Sequence, residues 1–268
     1  MAKIPFTPEL KKQYQELFTT CQIRSEKVAA VELAIAQILF NQARYRTVAE
    51  SLDIPWYFVA VVHNLEASLS FSRHLHNGDP LNARTVHVPA GQPRNGEPPF
   101  SWEESAIDAL TLRGLVGKID WSLAGTLYQL EGYNGWGYRQ YHSYVPSPYL
   151  WSGSLHYHSG KYVADGTWSH TAVSCQIGSA VLLRRMAEQG QIRFTVQIEP
   201  TDATKPLLVN YALTRSSDAA EESKAEQLQR WLNTFSAIYL KVDGVPGWRT
   251  ASAYEQVTGA CLPDAPRR

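Results

Sequence analysis

Apolar residues recur along most of this chain at helical spacing, interrupted by stretches too rich in Gly, Pro and aromatic residues to stay helical. Thr7-Pro8-Glu9 reads as cap, first-turn proline and first-turn acid, opening a helix to about residue 20. Ser25 opens a second, whose residues Val28, Val31, Leu33, Ile35, Ile38, Leu39 and Phe40 predict a strongly buried face continuing towards Leu52. From Pro55 the apolar positions Trp56, Phe58, Val59, Val61, Val62 and Leu65 predict a mostly buried helix, with proline well placed near its first turn. Ser101-Trp102-Glu103-Glu104 is a capping box that makes Glu103 and Glu104 first-turn acids, with Ala106, Ile107, Leu110 and Leu112 facing the core. A helix from Trp121 to Leu130 is expected to stop at Gly132, and an amphipathic helix over residues 171–190 to stop at Gly190.

Other segments change character. Residues 73–88 predict a small β-hairpin or wing with the turn sequence HNGD at its tip, and residues 89–99 a Gly- and Pro-rich connector. Residues 133–162 hold the densest run of aromatic residues in the chain and predict a loop. Residues 192–198 and 207–213 alternate as strands of a second hairpin, 216–223 read as a linker, and 225–235 as a short helix. The expected class is mainly α (α+β): a helical domain over 1–190 with a hairpin wing, a hairpin and linker over 191–223, and a small helical module over 224–268.

Composition narrows the function classes. The chain has 268 residues, 44% of them hydrophobic, enough for a sizeable core. Its 25 basic and 25 acidic residues cancel, so a nucleic-acid partner is not expected. Cys21, Cys175 and Cys261 are odd in number and widely spaced, which argues against a disulfide framework or a cysteine metal site and for buried thiols. No signal peptide and no run of eighteen apolar residues is visible, so synthesis in the cytoplasm and no membrane span are expected, with release needed for any action outside. The protein is expected to be a monomer and to need no cofactor. The pairs His74/His76 and His156/His158 have strand spacing that can chelate zinc, which keeps a zinc peptidase as a rival, although no H-E-x-x-H is present.

Two carboxylates carry the candidate chemistry. Glu66 is the first acid after the apolar run from Pro55, so its neutral form is favoured, as a general acid requires. Asp79, in the turn HNGDP, is expected to be exposed and ionised. Such a pair can cleave a glycosidic bond, one carboxyl protonating the leaving oxygen and the other activating water or stabilising the cationic transition state.

The pattern His63, Glu66, Ser68, Phe71 followed by residues 73–81, RHLHNGDPL, resembles lysozyme-like cell-wall hydrolases of phage and bacteria, in the goose-type lysozyme and lytic transglycosylase superfamily. The likeness extends through RTVHVPAGQP, FSWEESAIDAL, YNGWGYR and SPYLWSGS, over roughly residues 50–190. It implies a helix ending in a catalytic Glu closely followed by Ser, and a Tyr-Asn-Gly segment lining the sugar groove. By this resemblance Glu66 and Asp79 are catalytic, while Ser68, His76, Asn77, Tyr133 and Asn134 serve substrate binding or orientation. Leu228-Gln229, Leu232-Asn233, Asp243-Gly244, Pro246-Gly247 and Thr250, followed by Ala253, resemble the signature of a three-helix peptidoglycan-binding module. Together the two likenesses imply a muramidase acting on peptidoglycan. The alternatives are a lytic transglycosylase, a chitinase-like enzyme, a non-catalytic wall-binding protein and the zinc peptidase.

Overall fold

A computed structural model describes residues 3–117, 119–164, 166–194, 209–235 and 237–266. The described residues form eleven α-helices and one two-stranded antiparallel sheet, so the mainly helical class with a small hairpin holds. The chain divides into two compact units, Met1–Met186 and Ala187–Arg268. Among the described residues no helix is long and apolar enough to cross a membrane.

In the first unit, α1 (Pro8–Thr19) starts as the sequence predicts, the Thr7 hydroxyl accepting from the Leu10 amide at 3.3 Å. The helix expected from Ser25 to Leu52 is instead a 3₁₀ turn (Ser25–Lys27) followed by α2 (Val28–Phe40) and α3 (Gln42–Leu52). The break is at Asn41, which leaves helical geometry and donates through Nδ2 to the Gln37 carbonyl at 2.9 Å. Only Val31, Ile35 and Ile38 of α2 are buried; Leu33 and Phe40 are 71% and 90% exposed. α3 packs on α4 (Trp56–Ala67) and on α5 (Trp102–Leu112), whose capping box forms as predicted.

Helix α6 (Leu123–Asn134) runs through Gly132 and ends at Gly135, where φ is 101°. A Cβ at Gly132 would come within 2.9 Å of the Trp136 ring, so that glycine permits a close approach rather than a stop. The aromatic segment folds into two short helices, α7 (Gly137–Tyr141) and α8 (Pro148–Trp151). Helix α9 (Ser179–Glu188) is shorter than predicted. Gly178 precedes it, packed so closely on the Leu150 carbonyl that a Cβ would lie 2.2 Å from that oxygen, and this contact keeps residues before it irregular.

The hairpin is not where the sequence suggests. Within residues 73–88 only the isolated bridge Arg73–Pro80 has sheet pairing, and the turn is closed by the His74 amide to the Asp79 carbonyl at 2.7 Å. The sheet is β1 (Lys161–Ala164) with β2 (Thr167–Ser169), pairing Tyr162 with Trp168. The Asp165-Gly166 dipeptide between aromatic residues was the available signal for it.

Buried polar contacts tie the first unit together. Arg184 on α9 is 2% exposed, and its Nη1 donates at 3.0 Å to the Phe18 and Thr19 carbonyls, capping the C-terminus of α1. Glu131 on α6 accepts from the Tyr14 hydroxyl at 2.5 Å and from Arg139 Nε at 2.7 Å, joining α1, α6 and α7.

In the second unit, α10 (Ala219–Leu232) and α11 (Trp248–Thr258) pack around Val209, Leu228, Leu232, Phe235, Ile238, Leu240, Ala253, Tyr254 and Leu262. Part of the predicted linker is the first turn of α10, capped by Asp218 Oδ1, which accepts from the Ala220 amide at 2.8 Å. Of the hairpin expected over 192–198 and 207–213, residues 195–198 and 207–208 lie outside the described residues, and residues 192–194 and 209–213 are not in strands. Buried Gln229 accepts at Oε1 from the amides of Asp243 (2.9 Å) and Gly244 (3.0 Å), and donates through Nε2 to Asp243 Oδ1 (2.9 Å) and the Val245 carbonyl (3.0 Å). Asn233 likewise accepts from the Leu240 amide at 2.6 Å and donates to the Leu240 carbonyl at 2.8 Å. Removing either side chain strands buried backbone groups. Gln229→Ala is expected to destabilise this unit by about 2–4 kcal/mol, measured by chemical denaturation of the full chain; an unchanged midpoint would contradict the network's role.

Candidate active site

The site starts from the end of α4. Its residues from Tyr57 to Val62 are all buried, so the helix cannot end in water and its last carbonyls need partners inside the protein. Ser68 and Leu69 both take left-handed conformations, with φ of 49° and 59°, which turns the chain sharply. The Leu69 amide then reaches the His63 carbonyl at 3.3 Å, and Gln176 Nε2 donates to the Leu65 carbonyl at 2.8 Å. A Cβ at Gly78 would lie 3.5 Å from the Glu66 carbonyl oxygen, so the HNGD turn packs directly against this helix end.

Glu66 is half-buried, and its Oε1 accepts a hydrogen bond from the Tyr149 hydroxyl at 2.9 Å. Burial raises its pKa above the usual carboxylate value; the Tyr149 hydroxyl and the positive charge of Arg113 pull the other way without cancelling it. Tyr149 comes from α8, and Ser179 fixes that backbone by donating to the Tyr149 carbonyl at 3.0 Å. Burial followed by the charge of Glu66 pushes both Tyr149 and Tyr133 above the ordinary phenol range, so both keep their protons. The Arg113 guanidinium lies over the Tyr133 ring, 4.8 Å from its centroid.

Asp79 differs from the expectation of an exposed turn residue: it is 7% exposed. Its Oδ1 accepts from His87 Nδ1 at 2.6 Å, and its Oδ2 from the amides of Val86 (2.8 Å) and His87 (3.0 Å). These donors, the His87 side chain first, hold its pKa far below the usual range, so it is ionised as expected, though for a different reason. Asn77 is engaged in the same loop, Oδ1 accepting from the Asp79 amide at 3.0 Å and Nδ2 donating to the His87 carbonyl at 2.9 Å. His76 has a side chain only 1% exposed and donates through Nε2 to Asp108 Oδ2 at 2.8 Å, so it holds the loop to α5 rather than forming a surface for a ligand. Ser68 is exposed and shapes the backbone turn, while the donor to Glu66 is Tyr149. Asn134 is exposed at the end of α6.

Two clefts adjoin Glu66 through its neighbours. The first, about 630 Å³, is lined by Tyr138, Tyr141, His142, Tyr149, Tyr162 and Trp168 together with Asn134, Lys161 and Gln176. His142 stacks on Trp168 with centroids 3.5 Å apart, leaving a braced aromatic wall. The second, about 420 Å³, is lined by Lys3, Arg113, Tyr128, Tyr133 and Trp136. Gly135 borders both. The sequence reading found Tyr133 and Asn134 but missed Tyr149 and Arg113. Tyr149 lies within SPYLWSGS; Arg113, just past α5, has no local signal.

Each histidine of the two pairs has its own partner: His74 receives the Ser105 hydroxyl and donates to the Ala83 carbonyl, both at 2.8 Å, and His156 donates to the Leu17 carbonyl at 2.8 Å. Arg24 donates to His158 Nδ1 at 3.2 Å. Among the described residues no group of three His, Cys, Asp or Glu side chains is placed to hold a metal ion. Cys21 is buried as expected, whereas Cys175 and Cys261 are exposed. No protein-family model, characterised protein or solved structure matches this chain.

Behind Glu66, one turn earlier on α4, His63 is fully buried. It donates through Nε2 to the Ser70 carbonyl at 3.2 Å and accepts from the Tyr45 hydroxyl at 3.0 Å, packed among Phe71 and Trp102. Burial pulls its pKa down to about 4 from an ordinary 6.5. Between those values the unfolded chain binds a proton that the folded one refuses, so stability is full above pH 6.5 and falls as pH drops towards 4. Ring-nitrogen NMR is expected to show His63 neutral at pH 5.5 with protonation near pH 4; a midpoint at 6.5 would refute this environment.

Proposed function

We propose that this protein is a muramidase, cleaving the β-1,4 bond between N-acetylmuramic acid and N-acetylglucosamine in peptidoglycan. The observation that carries this reading is one half-buried carboxyl with a raised pKa, Glu66, bonded to Tyr149, which lines one aromatic cleft, and felt by Tyr133, which lines a second. A general acid for glycoside cleavage must hold its proton until it passes it to the leaving oxygen, and burial moves the Glu66 pKa in the direction that role needs. Sugar rings stack their C–H faces on aromatic side chains, and the braced Trp168, Tyr162 and Tyr138 wall offers such faces. In this reading Asp79 stays ionised and supports the cationic transition state or aligns water. The second unit, with its module-like signature, would hold the enzyme to the wall.

The occupied oxygens of Asp79 favour one second reading. Both already accept hydrogen bonds from the 86–87 segment, which leaves little room to activate water. Without a base for water, Glu66 could act first as acid and then as base towards the muramic C6 hydroxyl, giving an anhydro product as a lytic transglycosylase does.

Glu66→Gln is expected to lower cleavage of purified peptidoglycan on the order of 10²-fold or more. Mass spectrometry of the fragments then separates the two readings, reducing muramic ends marking hydrolysis and anhydro ends transglycosylation. Full activity in the variant would remove Glu66 from the mechanism, and no cleavage by the wild-type protein would overturn the proposed function.

The pH profile has a fixed sign. Because the acid form of Glu66 is the active one, kcat/KM should fall as pH rises through its pKa, which lies above the usual 4.5. Tyr149→Phe removes a hydrogen bond that lowers this pKa. It should therefore move the alkaline limb to higher pH; a limb that stays in place would detach Tyr149 from Glu66.

A further inference from the structure

Proton transfer by Glu66 calls for no cation, yet Lys3 and Arg113 both line the 420 Å³ cleft beside it, and no Asp or Glu is part of that lining. Arg113 lies 4.8 Å from the Tyr133 ring centroid and Lys3 Nζ lies 5.6 Å from that of Tyr128, so an aromatic face lies against each charge. The charge of Arg113 also reaches Glu66, which does not line this cleft. Tyr133 belongs both to this cleft and to the surroundings of Glu66, so a ligand group in the cleft would be close to the bond being cleaved. Two cations facing a cleft whose lining holds no carboxylate favour an anionic ligand group, and a guanidinium matches a carboxylate with two parallel N–H donors.

We propose that this cleft is a carboxylate-accepting subsite, in which Arg113 and Lys3 pair with an acidic arm on the sugar next to the scissile bond. The inference rests on the proposed glycan cleavage and deepens it, because it makes the protein select acid-bearing glycan over neutral N-acetylglucosamine polymer. The shared chemistry is a carboxylate on a short arm from the sugar ring. It has two sources in peptidoglycan: the free lactyl group of a stripped strand, or the carboxylates of an attached stem peptide.

The test compares kcat/KM of the full chain on stem-bearing glycan, stripped glycan with free lactyl carboxylates, the same stripped glycan after methyl esterification, and N-acetylglucosamine oligomers. The wild-type protein is expected to prefer at least one carboxylate-bearing substrate over the neutral ones by about 10-fold or more. Whichever charged substrate shows the preference identifies the source. In Arg113→Gln the ratio of charged to neutral should fall towards one, and Arg113→Lys should keep part of it. A ratio unchanged in Arg113→Gln would overturn the proposal. If that variant does not fold, Lys3→Ala and a salt titration of the wild-type protein take its place, and a preference insensitive to both would also overturn it.

Calorimetric binding of stripped muramic-acid oligomers, native and esterified, separates this inference from the catalytic one. Tighter binding of the charged form without any cleavage would support the subsite while the muramidase reading fails. Equal binding of both forms would reject the subsite whatever the activity.

Discussion

A helix buried along its length has carbonyls at its end that water cannot reach, and the C-terminus of α4 imposes that constraint on everything around the site. Two left-handed residues, Ser68 and Leu69, fold the chain back so that an amide reaches the His63 carbonyl, while Gln176 serves the Leu65 carbonyl from a segment more than a hundred positions away. Gly78 lets the HNGD turn close over the Glu66 backbone. The same closure leaves the Glu66 side chain half-buried, and this burial raises its pKa against the opposing pull of the Tyr149 hydroxyl. The reactivity assigned to Glu66 thus follows from how a buried helix has to end.

The acids of the first unit are sorted by their surroundings rather than by residue type. Glu131 is as buried as any, but Arg139 neutralises it and it joins three helices. Glu104 closes a capping box, and Glu103 is gripped by Arg44 through two hydrogen bonds of 2.6 and 2.9 Å, both with pKa values drawn down. Asp79 is drawn down furthest by the loop it fastens. Glu66 differs from Glu103, Glu104 and Asp79 in that burial outweighs its partners, so its pKa moves upward.

Periodicity found most of the helices because their apolar faces are long, and capping found the starts of α1 and α5 because those signals are local. The misplaced elements depended on contacts between distant residues. Gly132 reads as a stop until Trp136 packs on it, and Gly178 reads as mid-helix until its contact with Leu150 is known. Residues 85–88 alternate well enough for a strand, but Asp79 draws the amides of Val86 and His87 to its side chain, leaving them unavailable to a ladder. Glu66 was legible as the first acid after an apolar run. Arg113 was not, since its proximity to Tyr133 joins the end of α5 to the end of α6 and leaves no trace in local spacing.

In the second unit the residues carrying the likeness to a wall-binding module face inward. Gln229 and Asn233 bind backbone amides and carbonyls, Thr250 is buried, and Gly244 occupies a turn with φ of 70°. Such a signature is a grammar of folding, selecting sequences that can close this loop over these helices. What the unit adheres to is written in a different alphabet, the exposed side chains between the signature positions, and these can diverge freely while the signature stays intact. Proteins sharing this pattern are therefore expected to share a shape before they share a ligand.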